Sequence, residues 1–177
     1  GAAHQAPAQH RAQVQGLMSP PRILSIAGSD PSGGAGIQAD IKAISANGGY
    51  AMAALTALTV QNTRGVFGAE LVAPSFVRAQ IAAVFDDIRV DAVKIGMLGN
   101  AAIVEAVAEE LRGRDVAIVL DPVMVAKGGD RLLRADAVAA LRELLLPLAT
   151  VLTPNLPEAA DLLALPEAVD RAGMLAQ

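Results

Sequence analysis

The sequence contains no cysteine and no tryptophan, and aromatic residues make up only 2% of its 177 positions. Without cysteine, neither a disulfide framework nor a zinc site built on thiolates can form. Lysine and arginine total 14 against 18 acidic residues and form no basic run, which argues against a nucleic-acid surface. No apolar run approaches the roughly 20 residues that a membrane-spanning helix needs. We therefore expect a soluble, cytoplasmic protein that binds neither nucleic acid nor membrane.

Small and aliphatic residues are abundant instead. Apolar residues account for 53% of the sequence and charged residues for 18%, which is typical of a globular protein rather than a disordered one. The core has to be built mainly from Ala, Leu, Val and Ile. The length corresponds to about one domain.

We expect residues 1–20 to lie outside this domain, which then spans 21–177. The segment Gly1–Leu17 is rich in Ala, Gln and His and has neither helical nor strand periodicity. It also lacks the apolar segment of a signal peptide. We interpret 1–20 as a disordered or artificially added leader. Its two histidines, His4 and His10, give little support for a metal site.

From residue 21 onward, apolar runs typical of strands alternate with helical patterns. The predicted strands are Ile23–Ala27, Ala53–Val60, Ala92–Met97, Val116–Leu120 and Thr150–Thr153. The predicted helices are Ile37–Ala46, Ser75–Asp87, one through Ile103 and Leu111, one through Val138 and Leu145, Glu158–Leu163, and a last one starting within Pro166–Gln177. Such alternation indicates right-handed crossovers, and hence a parallel sheet covered by helices on both faces.

Polar segments follow each predicted strand. They are 28–36, 61–65, 96–99, 121–130 and 153–158, with a turn expected at 127–130. Because ligands of parallel sheets bind outside the carboxyl ends of the strands, we expect one composite site at that rim.

The first of these segments, Gly28–Gly36, holds four glycines between a predicted strand and a predicted helix. This layout turns backbone N–H groups and a helix N-terminus toward a ligand. It is not a Walker A loop, because no Lys-Ser or Lys-Thr follows the glycines. Gly34–Ala39 fits a loose dinucleotide fingerprint, yet residues 58–60 hold Leu, Thr and Val where an acidic residue is expected. A tight turn without a ligand is the plainest alternative.

Five segments together resemble the hydroxymethylpyrimidine/phosphomethylpyrimidine kinase family of thiamin biosynthesis, a branch of the ribokinase-like superfamily. They are Ala27–Asp40, Thr56–Thr63, Lys94–Leu98, Leu120–Met124 and Thr153–Ala159. The resemblance runs from about Arg22 to the end of the sequence. It implies a ribokinase-like three-layer αβα sandwich with a mostly parallel central sheet. It also implies that 21–177 is the N-terminal two-thirds of the kinase domain, so that the chain is C-terminally truncated.

The resemblance implies four substrate-binding residues. Asp40 corresponds to the carboxylate that holds the hydroxymethylpyrimidine, whose exocyclic amine can donate to it. Gln61 corresponds to the amide that pairs with the pyrimidine, since one amide offers both a donor and an acceptor. Met97 would pack on the ring as a polarizable apolar surface. Gly28 would let the loop backbone approach the substrate closely.

The resemblance also implies ATP and Mg²⁺ as cofactors. Asn155 and Glu158 match the Asn-x-x-Glu motif that organises magnesium and the nucleotide phosphates, and Asp121 is placed to serve the same metal. The plain alternative for Asn155 and Glu158 is an ordinary helix start. We interpret Lys127 as a solvated loop residue.

The implied activity is transfer of the γ-phosphoryl group of ATP to 4-amino-5-hydroxymethyl-2-methylpyrimidine and then to its monophosphate. The family's Gly-Thr-Gly-Cys anion-hole segment does not occur in these 177 residues. We therefore assign no catalytic residue within the chain, and its own catalytic activity is left open. A pyridoxal kinase, a non-catalytic vitamer-binding module and a dinucleotide-binding protein are the alternatives.

A parallel sheet that lacks its C-terminal strands has an open edge, which promotes association. We expect a homodimer that covers this edge, or else a protein of low stability. The other expected partner is the small-molecule substrate.

Overall fold

The computed structural model describes residues 19–124 and 135–176. Most of the predicted leader 1–20 and the predicted turn at 127–130 lie outside the described residues.

The described residues form alternating strands and helices. The strands are β1 (Arg22–Ala27), β2 (Tyr50–Leu55), β3 (Ala57–Asn62), β4 (Gly65–Leu71), β5 (Ala92–Ile95), β6 (Ala117–Leu120) and β7 (Val151–Leu152). The helices are α1 (Gly36–Ala46), α2 (Pro74–Asp87), α3 (Ala101–Leu111), α4 (Ala135–Ala140), α5 (Leu156–Leu163) and α6 (Arg171–Ala176). Helix α4 continues into a π-helical turn, Leu141–Leu145, and a 3₁₀ turn, Leu146–Leu148. The helix predicted through Val138 and Leu145 is therefore present, but it changes its winding along its length.

Strands β2, β1, β5, β6 and β7 form one sheet in that order, and every pairing in it is parallel. Each connection between consecutive strands of this sheet contains a helix, because parallel strands must be joined by a long crossover rather than a tight turn. The predicted α/β fold with a mostly parallel central sheet flanked by helices is confirmed. Because the strands share one direction, their carboxyl ends meet at one rim.

One face of this sheet carries the apolar core. Alternate residues of β1, β5 and β6 point to this face, as the twofold strand period requires, and pack against α2 and α3. The buried cluster includes Leu24, Ile26, Val93, Ile95, Ile118, Leu120, Val77, Ile81, Ile103 and Val107. All of these are aliphatic, and the aromatic Phe85 packs against the cluster as a partly buried residue.

The opposite face carries polar groups near its centre. Ser25 on β1 and Lys94 on β5 are register partners and project to this side. Helix α1 covers it along β1 and β2, and Asp40 of that helix hydrogen-bonds Ser25. The two faces therefore differ in chemistry, and the polar one leads to the rim.

The predicted strand Ala53–Val60 is wrong as a single strand, because the chain leaves the central sheet at Thr56. The Thr56 N–H donates to the Ala27 carbonyl, and its hydroxyl donates to the Met97 carbonyl at 2.6 Å. Beyond this point β3 pairs with β4 as a separate antiparallel hairpin. Gln61 therefore lies on this hairpin and does not directly follow a strand of the central sheet, contrary to the sequence prediction.

None of the helices within 19–124 and 135–176 combines the length with the apolar character needed to cross a bilayer.

Candidate active site

A cavity of about 320 Å³ opens at the carboxyl ends of β1 and β5. The glycine loop, the hairpin and the start of the segment after β6 form its walls. All four residues predicted to bind substrate line it, together with one of the two predicted metal ligands. These are Gly28, Asp40, Gln61, Met97 and Asp121. The structure thus brings together residues from five separate parts of the chain.

The glycine loop comes so close to β1 that one position excludes a side chain. Gly36 has φ +55°, and a Cβ there would overlap the Gly28 carbonyl oxygen. That same oxygen accepts the Ile37 N–H at 3.0 Å, which ties the first turn of α1 to the end of β1. The contact sets the position of the helix that carries Asp40.

Gly28 has a different role, because its missing side chain makes room for Met97. A Cβ on Gly28 would lie 3.2 Å from the Met97 methyl group and 3.6 Å from its sulfur. The Thr56 hydroxyl donates to the Met97 carbonyl and so fixes the backbone of Met97. The thioether therefore lies over bare backbone at the edge of the cavity.

Asp30 organises the loop from within, and the sequence interpretation missed it. Its carboxylate accepts the Ser32 N–H and hydroxyl at 2.9 and 2.7 Å, and the Gly34 and Ala35 N–H groups at 3.0 and 2.8 Å. Burial raises the pKa of Asp30, but these hydrogen bonds outweigh burial and hold the pKa below its ordinary value. The Asp-Pro-Ser-Gly sequence, which is typical of a side-chain-closed turn, was the available signal.

The hairpin is bound to the glycine loop by paired contacts between Ser29 and Thr59. The Thr59 hydroxyl donates to the Ser29 carbonyl at 2.8 Å, and the Thr59 N–H donates to the Ser29 hydroxyl at 3.1 Å. Gln61 follows two residues later on the same side of β3. Its amide oxygen lies 3.3 Å from the Thr59 hydroxyl. The loop contacts thereby decide where the Gln61 amide enters the cavity.

Asp40 is held by groups on the polar face of the sheet. The Ser25 hydroxyl donates to its Oδ2 at 2.6 Å, and the Lys94 ammonium lies 3.2 Å from the same oxygen. Lys94 also lies 3.5 Å from Oδ2 of Asp121. Sequence interpretation missed Lys94 as a site residue, although a lysine inside the apolar strand Ala92–Ile95 is an unusual signal.

Asn155 and Glu158 begin α5 and do not line the cavity. They form a capping box: the Asn155 side chain accepts the Glu158 N–H, and the Glu158 carboxylate accepts the Asn155 N–H, both at 2.9 Å. Asn155 and Glu158 therefore form the helix start that the plain alternative describes. They nevertheless lie near the rim, because the Thr153 N–H donates to the Leu120 carbonyl at the end of β6.

The carboxylates of Asp121 and Glu158 suit a hard cation such as Mg²⁺, which binds proteins through one or two carboxylates and keeps the rest of its shell as water and phosphate. One Glu158 oxygen is already engaged by the Asn155 N–H. Among the residues that the structure describes, no group of three or more His, Cys, Asp or Glu could hold a metal by itself. The residues present thus fit magnesium carried by a nucleotide better than a closed protein site.

A second cavity of about 470 Å³ adjoins the first and was not predicted. It lies between the glycine loop and the hairpin turn. The two cavities share Ala35, Gln61 and Val66 as walls. Gln61 is therefore accessible from both.

Comparisons with known proteins agree with this architecture. The family described as "Phosphomethylpyrimidine kinase" matches residues 30–177. The "Hydroxymethylpyrimidine/phosphomethylpyrimidine kinase" of Escherichia coli (strain K12) is 56% identical over 155 residues, which cover 87% of this chain and 58% of that protein. The chain thus spans less than two thirds of that relative's length.

Two solved structures are similar over most of the chain. The phosphomethylpyrimidine kinase of Clostridium difficile 630 superposes with a TM-score of 0.80 at 44% identity, covering 87% of this chain and 67% of that one. An ADP complex of Bacillus subtilis pyridoxal kinase has a TM-score of 0.80 at 42% identity, covering 89% of this chain and 60% of that one.

Fold and rim cavity together define a member of the ribokinase-like kinases. Within that class, the chain belongs to the phosphomethylpyrimidine kinase family.

Replacing Gly36 by alanine should destabilise the protein by about 1–3 kcal/mol, since the variant residue must hold a positive φ and displace the Gly28 carbonyl. Urea unfolding followed by circular dichroism measures the change. Gly65→Ala is the matched control, because a Cβ there meets open space. Equal stability of the two variants would contradict the proposed close approach.

The Asp30 carboxylate should stabilise the fold in a pH-dependent way. Its folded pKa lies below the ordinary value of 3.8, so its contribution is complete above that value and is lost as the pH falls through the lower folded pKa. Thermal unfolding between about pH 2 and 7 should therefore show a smaller acid loss for Asp30→Asn than for wild type. The same substitution at the exposed Asp87 should leave the profile unchanged.

Proposed function

We propose that the chain forms the pyrimidine-binding part of a kinase of thiamin biosynthesis. The substrates would be 4-amino-5-hydroxymethyl-2-methylpyrimidine and its monophosphate, and the phosphoryl donor would be ATP. The observation that supports this proposal is the meeting of Gly28, Asp40, Gln61 and Met97 around one cavity of about 320 Å³. Membership of the phosphomethylpyrimidine kinase family supports the same conclusion.

The cavity offers complementary groups for an aminopyrimidine. The Asp40 carboxylate is an acceptor for the exocyclic amine, and the Gln61 amide has a donor and an acceptor for the ring edge. The Met97 thioether provides a polarizable apolar surface for the ring. A small polar heterocycle would thus be held by directional contacts on its edge and by packing on its face.

The nucleotide would be bound next to this cavity. Asn155 and Glu158 would hold it at the start of α5, and Asp121 and Glu158 would bind its Mg²⁺. Bound magnesium supplies charge stabilisation to the transferring phosphoryl group.

Phosphoryl transfer depends mainly on positioning and on charge stabilisation. The residues of this chain would contribute the positioning: Gln61 and Asp40 orient the ring, and the loop at Gly28 lets the backbone lie close to it. We propose no catalytic residue among the 177 residues. A cytoplasmic location is part of the same proposal.

Pyridoxal is a second candidate substrate. The observation that favours it is the similarity to the pyridoxal kinase of Bacillus subtilis, whose fold matches as well as that of the phosphomethylpyrimidine kinase. Pyridoxal also offers a ring with a hydroxymethyl group.

Calorimetric titration of the purified chain should show saturable binding of 4-amino-5-hydroxymethyl-2-methylpyrimidine. Gln61→Met should weaken it by about 10-fold, because a hydrogen-bonding edge of the ligand is left unpaired. The control is Val60→Ala, which should not affect binding because Val60 is 65% exposed and does not line the cavity. Pyridoxal and NAD serve as parallel ligands. Absence of pyrimidine binding by a folded chain would overturn the proposal, and binding of pyridoxal alone would favour the second candidate.

We also propose a homodimer. Strand β7 is an outer strand of the sheet that the described residues form, and Val151 on it is 48% exposed, so this edge would be the place for another chain to pair. Multi-angle light scattering over a range of concentrations should give a dimer mass. Val151→Lys should shift the mass toward the monomer, because a charge on an edge strand opposes pairing. A monomer at all concentrations in the wild type would contradict the proposal.

A further inference from the structure

Lys94 is a charged residue in the middle of an otherwise apolar strand. β5 is the central strand of the five, and the neighbours of Lys94 along it, Val93 and Ile95, are fully buried. The Lys94 side chain is only 25% exposed. Removing an ammonium group from water costs free energy unless the group is paired. The groups that pair with Lys94 therefore indicate the role of this residue.

These partners are two carboxylates on separate elements. The Lys94 ammonium lies 3.2 Å from Oδ2 of Asp40 on α1 and 3.5 Å from Oδ2 of Asp121, directly after β6. All three side chains line the same cavity. One positive charge thus lies between the carboxylate proposed for the substrate and the carboxylate proposed for magnesium.

Both protein donors to Asp40 converge on one of its oxygens. The Ser25 hydroxyl and the Lys94 ammonium each donate to Oδ2, and within the described part of the chain Oδ1 has no hydrogen-bond partner. Ser25 and Lys94 are register partners on adjacent strands, so rigid backbone holds both donors. Two donors on Oδ2 fix the carboxylate and leave Oδ1 as the acceptor for a ligand.

We propose that Lys94 is a positioning residue for substrate recognition. It holds the Asp40 carboxylate so that Oδ1 accepts the exocyclic amine of the pyrimidine, and it reduces the repulsion between Asp40 and Asp121. Lys94 acts through Asp40 rather than through a hydrogen bond of its own to the substrate. This inference rests on the proposed function, because it requires an amine-bearing ligand in the cavity.

A purely structural ion pair would give a different result. Losing such a pair changes the stability of the fold and affects every ligand of the cavity alike. A positioning role affects a ligand only through the group that Asp40 binds. A pair of ligands with and without the amine therefore separates the two roles.

The experiment is calorimetric titration of the wild type, Lys94→Met, Asp40→Asn and the double variant. The ligands are 4-amino-5-hydroxymethyl-2-methylpyrimidine and 5-hydroxymethyl-2-methylpyrimidine, which lacks the amine. Lys94→Met should weaken binding of the amine-bearing ligand by about 10- to 100-fold, and leave binding of the other ligand unchanged. In the Asp40→Asn background, Lys94→Met should cause no further loss, because the two changes act through one contact.

Lys94→Arg is the conservative control, since it keeps the positive charge, and it should bind the amine-bearing ligand more tightly than Lys94→Met. Circular dichroism and thermal unfolding verify that each variant is folded, and Lys94→Gln replaces Lys94→Met if the latter does not fold. Equal losses for both ligands, or additive losses in the double variant, would overturn this inference alone. Failure of the wild type to bind either ligand would overturn the proposed function and this inference with it.

Discussion

The structure depends on one close contact, in which the backbone of the glycine loop meets the end of the first strand. The Gly28 carbonyl accepts the Ile37 N–H, and Gly36 permits this only because it has no side chain. Helix α1 is thereby set against the sheet in a fixed rotation. That rotation directs Asp40 onto Ser25 rather than into solvent. The close contact between the backbones of Gly28 and Gly36 thus determines where the first crossover helix places Asp40 in the proposed substrate site.

The two faces of the central sheet divide stability and recognition between them. Aliphatic residues on one face pack against α2 and α3 and supply the burial that stabilises the domain. The other face contains Ser25 and Lys94, whose burial is tolerated because Asp40 and Asp121 pair with them. Polar groups in a sheet centre contribute little net stability. Their presence there is explained better by the ligand that the rim is proposed to bind.

Sequence reasoning could predict most strands and helices of the sheet, because their apolar runs and helical spacings are strong local signals. It could not predict the break at Thr56, since Ala53–Val60 is one run of apolar residues and threonine without a turn signal. The break is set by hydrogen bonds to Ala27 and Met97, which are distant in sequence. Strand β4 was missed for a related reason: its Val-Phe-Gly-Ala-Glu run has no clear alternation.

For the site, the resemblance to a kinase family supplied Gly28, Asp40, Gln61 and Met97, and the structure brings these four together. It did not supply Lys94 or Asp30 as site residues, although each has a local sequence signal. The partners of Lys94 become visible only when β1, β5 and α1 are placed side by side. Neither spacing nor composition contains that information.

The separate hairpin has a consequence for affinity. A two-stranded ribbon is marginally stable by itself, and this one is attached to the glycine loop where Thr59 meets Ser29. Opening of that attachment would move Gln61 out of the cavity that it lines. The apparent dissociation constant of any ligand that needs Gln61 equals the intrinsic constant divided by the fraction of molecules with the hairpin closed. Substitutions that remove the Ser29 hydroxyl should therefore change affinity by changing the fraction of molecules with the hairpin closed.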